Sequence, residues 1–196
     1  MRPPADPIGR GRGGARAGRE PGMTDPIRAV LDAFPYGLYA IGVADGERRN
    51  AFTANWLTQV SADPPLVVVA VESDAPSLEL ARAGAAFSVT LYDAAQRRDA
   101  ALLARPSRRA PAKLDDVPHR LHRSGLPLIQ GGVAWLVCAL ERTVDAGDHT
   151  LLVGRVTDGG LRGPHDPPSG AAGRDGTDDA GPAEPLTLHR AGFRYG

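Results

Sequence analysis

The chain has 196 residues, with 23 Lys and Arg against 23 Asp and Glu, so its formal net charge is zero. That balance disfavours a protein built to grip nucleic acid, which is usually strongly basic. A single cysteine, Cys138, excludes an intramolecular disulfide and a Cys-rich zinc site. No apolar run approaches the roughly 18 residues of a membrane span. The N-terminal arginines precede no apolar segment of a secretory signal. The expected setting is the reducing cytoplasm, with neither nucleic acid nor membrane as partner.

Residues 1–22 and 159–184 together hold 13 of the 24 glycines and 8 of the 18 prolines. Ile8 and Leu161 are nearly their only large apolar side chains. Segments so poor in apolar surface cannot repay the entropy of ordering. Residues 1–22 therefore read as a disordered tail that an upstream start codon would add, because Met23-Thr24-Asp25-Pro26 is a sensible start. One domain is expected over residues 23–196. Gly9-Arg10-Gly11-Arg12-Gly13-Gly14 satisfies G-x-G-x-x-G, but no strand enters it and no apolar helix leaves it. It is not read as a dinucleotide fingerprint.

Thr24 can cap a short helix through Ile27, Val30 and Leu31. Leu38–Val43 reads as a strand, Ala44-Asp45-Gly46-Glu47 as a hairpin turn and Asn50–Phe52 as the start of the return strand. Leu66–Val71 is apolar and β-branched, hence a buried strand. Leu78, Leu80 and Ala81 fall on a short helix that Gly84 ends. Ala86–Leu91 is another strand, and Asp93 is expected to cap a helix over Ala94–Ala104 that Pro106 stops. Residues 105–127 have no clear period. Val133–Val144 is a long strand, Asp145–Asp148 a turn and His149–Val156 its antiparallel return. Leu186–Tyr195 is expected to supply a last edge strand. About six strands meeting through turns predict an antiparallel barrel or sandwich with peripheral helices.

Four landmarks carry a resemblance. Phe52-Thr53-Ala54-Asn55-Trp56-Leu57-Thr58-Gln59-Val60-Ser61-Ala62-Asp63-Pro64-Pro65-Leu66-Val67 resembles the signature of the flavin reductase-like, FMN-binding split-barrel family. Gly84-Ala85-Ala86-Phe87-Ser88-Val89, then Gly147-Asp148-His149-Thr150 with the run after it, and Gly192-Phe193-Arg194-Tyr195 follow in family order. The resemblance implies a mainly β fold, a six-stranded antiparallel split β-barrel with peripheral helices, usually a homodimer. It implies a flavin reductase that passes a hydride from NADH or NADPH to FMN or FAD. Many such proteins hand the reduced flavin to a separate monooxygenase.

Position by position, Thr53, Ala54, Asn55 and Trp56 match the family's loop against the flavin ring and ribityl chain. Thr58 matches a polar contact after it, Ser73 and Ser77 the loop near the flavin phosphate, and His149 the residue where nicotinamide docks. The stretch 159–184 becomes a disordered loop insertion ahead of the closing segment. The alternatives are a flavin carrier or sensor without turnover, and a flavoprotein acting on its own small substrate. Trp56 could equally fill the core.

No metal site is expected. His119, His122, His165 and His189 lack ligand spacing and read as surface residues, and Cys138 reads as an inert core thiol. Residues 97–123 carry seven arginines and one lysine against three acids. They read as a solvated face, unless one arginine meets a flavin or nicotinamide phosphate. That alternative matters because Glu72-Ser73-Asp74-Ala75-Pro76-Ser77 is acidic where the family often carries a base.

Overall fold

A computed structural model describes residues 26–162 and 184–192. The proposed tail 1–22, the cap Thr24, His165, most of the expected insertion and Phe193–Tyr195 lie outside these residues. The predicted N-terminal helix is α1 (Pro26–Asp32), which falls in a unit separate from the chain after Phe34.

From Pro35 onward the described chain forms β1 (Tyr39–Asp45), β2 (Arg48–Ala54), β3 (Leu57–Ser61), β4 (Leu66–Glu72), α2 (Pro76–Ala83) and β5 (Ala86–Leu91). Then come α3 (Arg97–Leu103), β6 (His119–Leu121), β7 (Pro127–Ile129), β8 (Ala134–Ala146), β9 (His149–Leu161) and α4 (Leu188–Ala191). Seven strands make one sheet in the order β2-β1-β5-β8-β9-β4-β3, and β6 with β7 forms a separate hairpin. Every pairing is antiparallel.

The sheet thus has seven strands where six were expected. The added one is β3, and it closes the fold. Strands β2 and β3, at opposite edges of the sheet, are consecutive, with only Asn55 and Trp56 between them. The three steps from Ala54 to Leu57 span at most about 11 Å. The sheet must therefore curl until the end of β2 and the start of β3 come within that reach, which gives a split barrel whose edge strands β2 and β3 do not pair with each other. The Trp56 carbonyl already accepts from Ala70 N at 3.0 Å, so pairing with β4 resumes at once.

Two hairpins use one device. Gly46 (φ +59°) turns β1 into β2 and Gly147 (φ +70°) turns β8 into β9, supplying the left-handed backbone that two-residue loops require. Ile41, Val43, Val67, Val69, Val71, Phe87, Val89 and Leu152 fill the barrel, with Leu78 and Ala81 of α2 joining them. The fully buried Phe87 ring lies against Gly154, where a Cβ would sit 2.5 Å from it. Cys138 shares this core, and burial pushes its thiol up to about 12, as an inert interior thiol requires. A second core joins Leu38, Ala40, Tyr92, Leu103, Leu186 and Leu188.

Several expectations change. Helix α3 begins at Arg97, not Ala94, because the Asp93 carboxylate is engaged earlier. It accepts from Ala95 N at 2.9 Å and pairs with Arg162 at 2.9 Å. The closing segment is not an edge strand. It makes two isolated bridges, Gly37 with Thr187 and Asp93 with Pro185, then turns into α4. Thr187 caps that helix and Gly192 ends it at φ +73°, so cap chemistry overrides the apolar pattern. Strand β9 runs through Leu161, so the first residues of the glycine-rich stretch 159–184 pair with β8. Its two flanks converge on two adjacent residues. Arg162 pairs with Asp93, and Ala94 N donates to the Glu184 carbonyl at 2.7 Å.

Candidate functional site

The apolar run Leu66–Val71 has two faces. Val67, Val69 and Val71 point into the barrel, whereas Val68 and Ala70 point outward and are half-buried. With Leu151 of β9 they floor a cavity of about 330 Å³. Asn55, Trp56, Leu57 and Thr58 wall it on one side and Tyr36 on another. A run apolar on both faces needs cover on both, and here the outer cover is the barrel seam.

Trp56 does not fill the core. It is 38 % exposed, and its ring meets that of His149 with centroids 4.7 Å apart at 53°. His149 Nδ1 lies 2.7 Å from an Asp148 carboxylate oxygen. An ionised carboxylate only accepts, so Nδ1 carries the proton and Nε2 is the nitrogen left to meet a ligand. The same bond holds the Asp148 carboxyl below its ordinary range.

The segment after β4 is tied to this turn. Ser73 N donates to the Asp148 carbonyl at 3.0 Å, and its hydroxyl lies 3.1 Å from that of Thr150. Of the predicted site residues, then, Asn55, Trp56 and Thr58 line the cavity, His149 meets Trp56 beside it, and Ser73 braces the turn that carries His149. Ala54 does not join them, because its side chain belongs to the barrel core. Thr53 faces α3. Its hydroxyl donates to the Ala100 carbonyl at 2.7 Å, so Tyr92, 3.0 Å away, donates to Thr53. Burial raises the Tyr92 phenol, keeping it a donor. Ser77 is buried at the start of α2 and accepts from Asn50 Nδ2 at 3.0 Å.

The acidic loop acquires a positive partner. Arg108 donates to the Asp74 carbonyl and lies 3.4 Å from its carboxylate. Asn50 Nδ2 also donates to Ser107 at 2.9 Å. The start of α2 is therefore faced by Ser107 and Arg108 from a loop remote in sequence. Among the arginines of the 97–123 stretch, Arg108 is the one that meets this acidic loop, through Asp74; Asn50 and Ser107 carried no signal in the sequence.

Two side chains depart from the solvated reading. Lys113 is only 3 % exposed. His122 has a side chain only 9 % exposed, with Nε2 3.1 Å from Asp158. His119 is half-buried, and His189 is exposed as expected. No helix among the described residues is long and apolar enough to cross a membrane.

The cavity suits a flat, mostly apolar ligand with polar groups at its edge. The cavity lies within the usual 300–1,000 Å³ range of small-molecule sites. Comparison with known proteins agrees. The chain is 34% identical over 139 residues to a probable flavin reductase of Rhizobium meliloti, a match covering 68% of this chain and 43% of that protein. The chain thus spans under half the length of that relative. A solved NADH:FAD oxidoreductase of Streptomyces globisporus, in complex with NAD and FAD fragments, is 34% identical with a TM-score of 0.66. That match covers 82% of this chain and 99% of that one. The flavin reductase component of a bacterial two-component tryptophan halogenase is 36% identical with a TM-score of 0.64, covering 70% and 87% respectively. The flavin reductase like domain matches residues 31–196, and the chain belongs to that family.

Proposed function

We propose that the protein is a flavin reductase, an oxidoreductase that passes a hydride from NADH or NADPH to FMN or FAD. The apolar cavity at the barrel seam, with the Trp56–His149 pair beside it, carries this reading. When bound, the flavin supplies the hydride-accepting ring. The protein's part is to hold two rings face to face, a proximity effect needing little acid–base help. Val68, Ala70 and Leu151 offer the ring an apolar floor, and Asn55 and Thr58 supply polar contacts at its edge. The short Thr53-Ala54-Asn55 segment lets backbone groups come close. The start of α2, with Ser73, Ser77 and Arg108 around it, takes the phosphate. His149, held by Asp148, orients the nicotinamide.

The working unit is a homodimer in the cytoplasm. Trp56, Val60 and Val144 are apolar and exposed, and a second copy would cover them. The reduced flavin serves a separate flavin-using oxygenase, as the two-component halogenase system suggests.

Purified protein with NADH or NADPH and FMN, FAD or riboflavin should consume the nicotinamide faster than flavin alone. No consumption with any pairing sinks the reading. Flavin retained through gel filtration without consumption would instead favour a carrier or sensor. H149A is expected to lower kcat/KM for the nicotinamide about tenfold, the scale of a lost orienting contact, whereas a general acid would cost about 10²–10⁴-fold. An unchanged value would make His149 a turn residue.

A further inference from the structure

Lys113 is the chain's sole lysine and is almost wholly buried. Its ammonium donates to the Leu103 carbonyl at 2.7 Å and to the Arg105 carbonyl at 2.6 Å. The first carbonyl ends α3, where the helix leaves acceptors unmatched and the dipole favours a cation, and the second lies two residues beyond it. The chain leaving them carries Ser107, which accepts from Asn50, and Arg108, which reaches Asp74. Asn50 in turn holds Ser77 at the start of α2. On its other side α3 is held by Thr53 through the Ala100 carbonyl.

We infer that Lys113 is a positioning residue for the phosphate end of the flavin site, fixing the 103–108 turn so that Ser107 and Arg108 face the start of α2, and thereby favouring phosphorylated flavins over riboflavin. This rests on the flavin reading above. The charge balance supports it. Glu72 and Asp74 make the loop after β4 acidic, and an anion there needs cations nearby. Arg108 supplies one at the surface, and Lys113 ties down the turn that carries it. Burial lowers the Lys113 ammonium to about 8 while the Glu72 carboxylate pulls it back up. The two carbonyls and Glu72 thus keep a buried cation charged near neutrality.

The role separates from simple structural support by what it discriminates. K113M should raise KM for FMN about tenfold, leaving kcat and the KM for riboflavin within about twofold. R108Q should likewise raise KM for FMN about tenfold. The double variant K113M/R108Q should lose no more than the worse single one, since Lys113 acts through the loop that carries Arg108. Equal losses for FMN and riboflavin, or additive losses in the double variant, overturn the proposal. If K113M does not fold, S107A on the half-buried loop carries the test by the same criterion. Quenching of FMN and riboflavin fluorescence on binding gives the same comparison without turnover. It decides the role of Lys113 even if no nicotinamide is consumed.

Discussion

A70W should abolish flavin reduction while leaving the protein folded. Ala70 sits in β4 with its side chain on the outer face, flooring the cavity beside Trp56 and Leu151. An indole there fills space in a cavity of about 330 Å³ without touching the barrel interior, which Val69 and Val71 occupy from the opposite face. Loss of kcat/KM by at least about 100-fold is expected, corresponding to roughly 3 kcal/mol of lost ring binding. The thermal midpoint should hold within a few degrees. Full activity in A70W would place the flavin elsewhere, and a collapsed midpoint would show that the outer face packs as core. Both readouts come from one preparation.

The second large effect is on stability. D93A should cost about 3–5 kcal/mol, the range for removing one partner of a buried ion pair. The Asp93 and Arg162 side chains are 13 and 11 % exposed, and Arg162 also donates to the Gly131 carbonyl at 3.2 Å. Removing the carboxylate strands that guanidinium and releases Ala95 N. Domains of this kind hold about 5–15 kcal/mol in total, so urea denaturation should show a large fall in midpoint. D93N, which keeps a polar acceptor, should lose less. A cost below about 1 kcal/mol in D93A would mean that the pair behaves as an exposed one.

The strands were legible where local pattern and burial agree. Ala86–Leu91 and the hairpins at Gly46 and Gly147 form as their sequences require, because turn chemistry is local. Strand β3 was not legible. Leu57-Thr58-Gln59-Val60-Ser61 has neither clean alternation nor a continuous apolar run, and it is a strand because β4 pairs with it and the barrel must close. The 105–127 stretch hid a hairpin, a buried lysine and a buried histidine. Charge composition records what a side chain could do in water, not which carbonyls or carboxylates a fold brings to it.

The site divides in the same way. Asn55, Trp56, Thr58 and His149 were identifiable through resemblance; the fold lines one cavity with the first three and sets His149 against Trp56 beside it. The Ala54 side chain faces the barrel core by its alternation in β2, which leaves its backbone as the part that could meet a ligand. Asn50, Ser107, Arg108 and Lys113 are linked to α2 and α3 only through contacts between distant parts of the chain, which a single sequence does not encode in any local pattern.

The closing strand has a consequence for handling the protein. Strand β3 lies at the sheet's edge, and its residues Leu57-Thr58-Gln59-Val60-Ser61 carry no charge, with Val60 53 % exposed. Edge strands that remain in solution alone are usually guarded by lysine, proline or a pronounced bulge. Here the register shift between Gln59 and Ser61 is the sole such guard on β3. A substitution that loosens the seam therefore opens a template for misassembly, and loss of protein to aggregates would then accompany loss of the folded site.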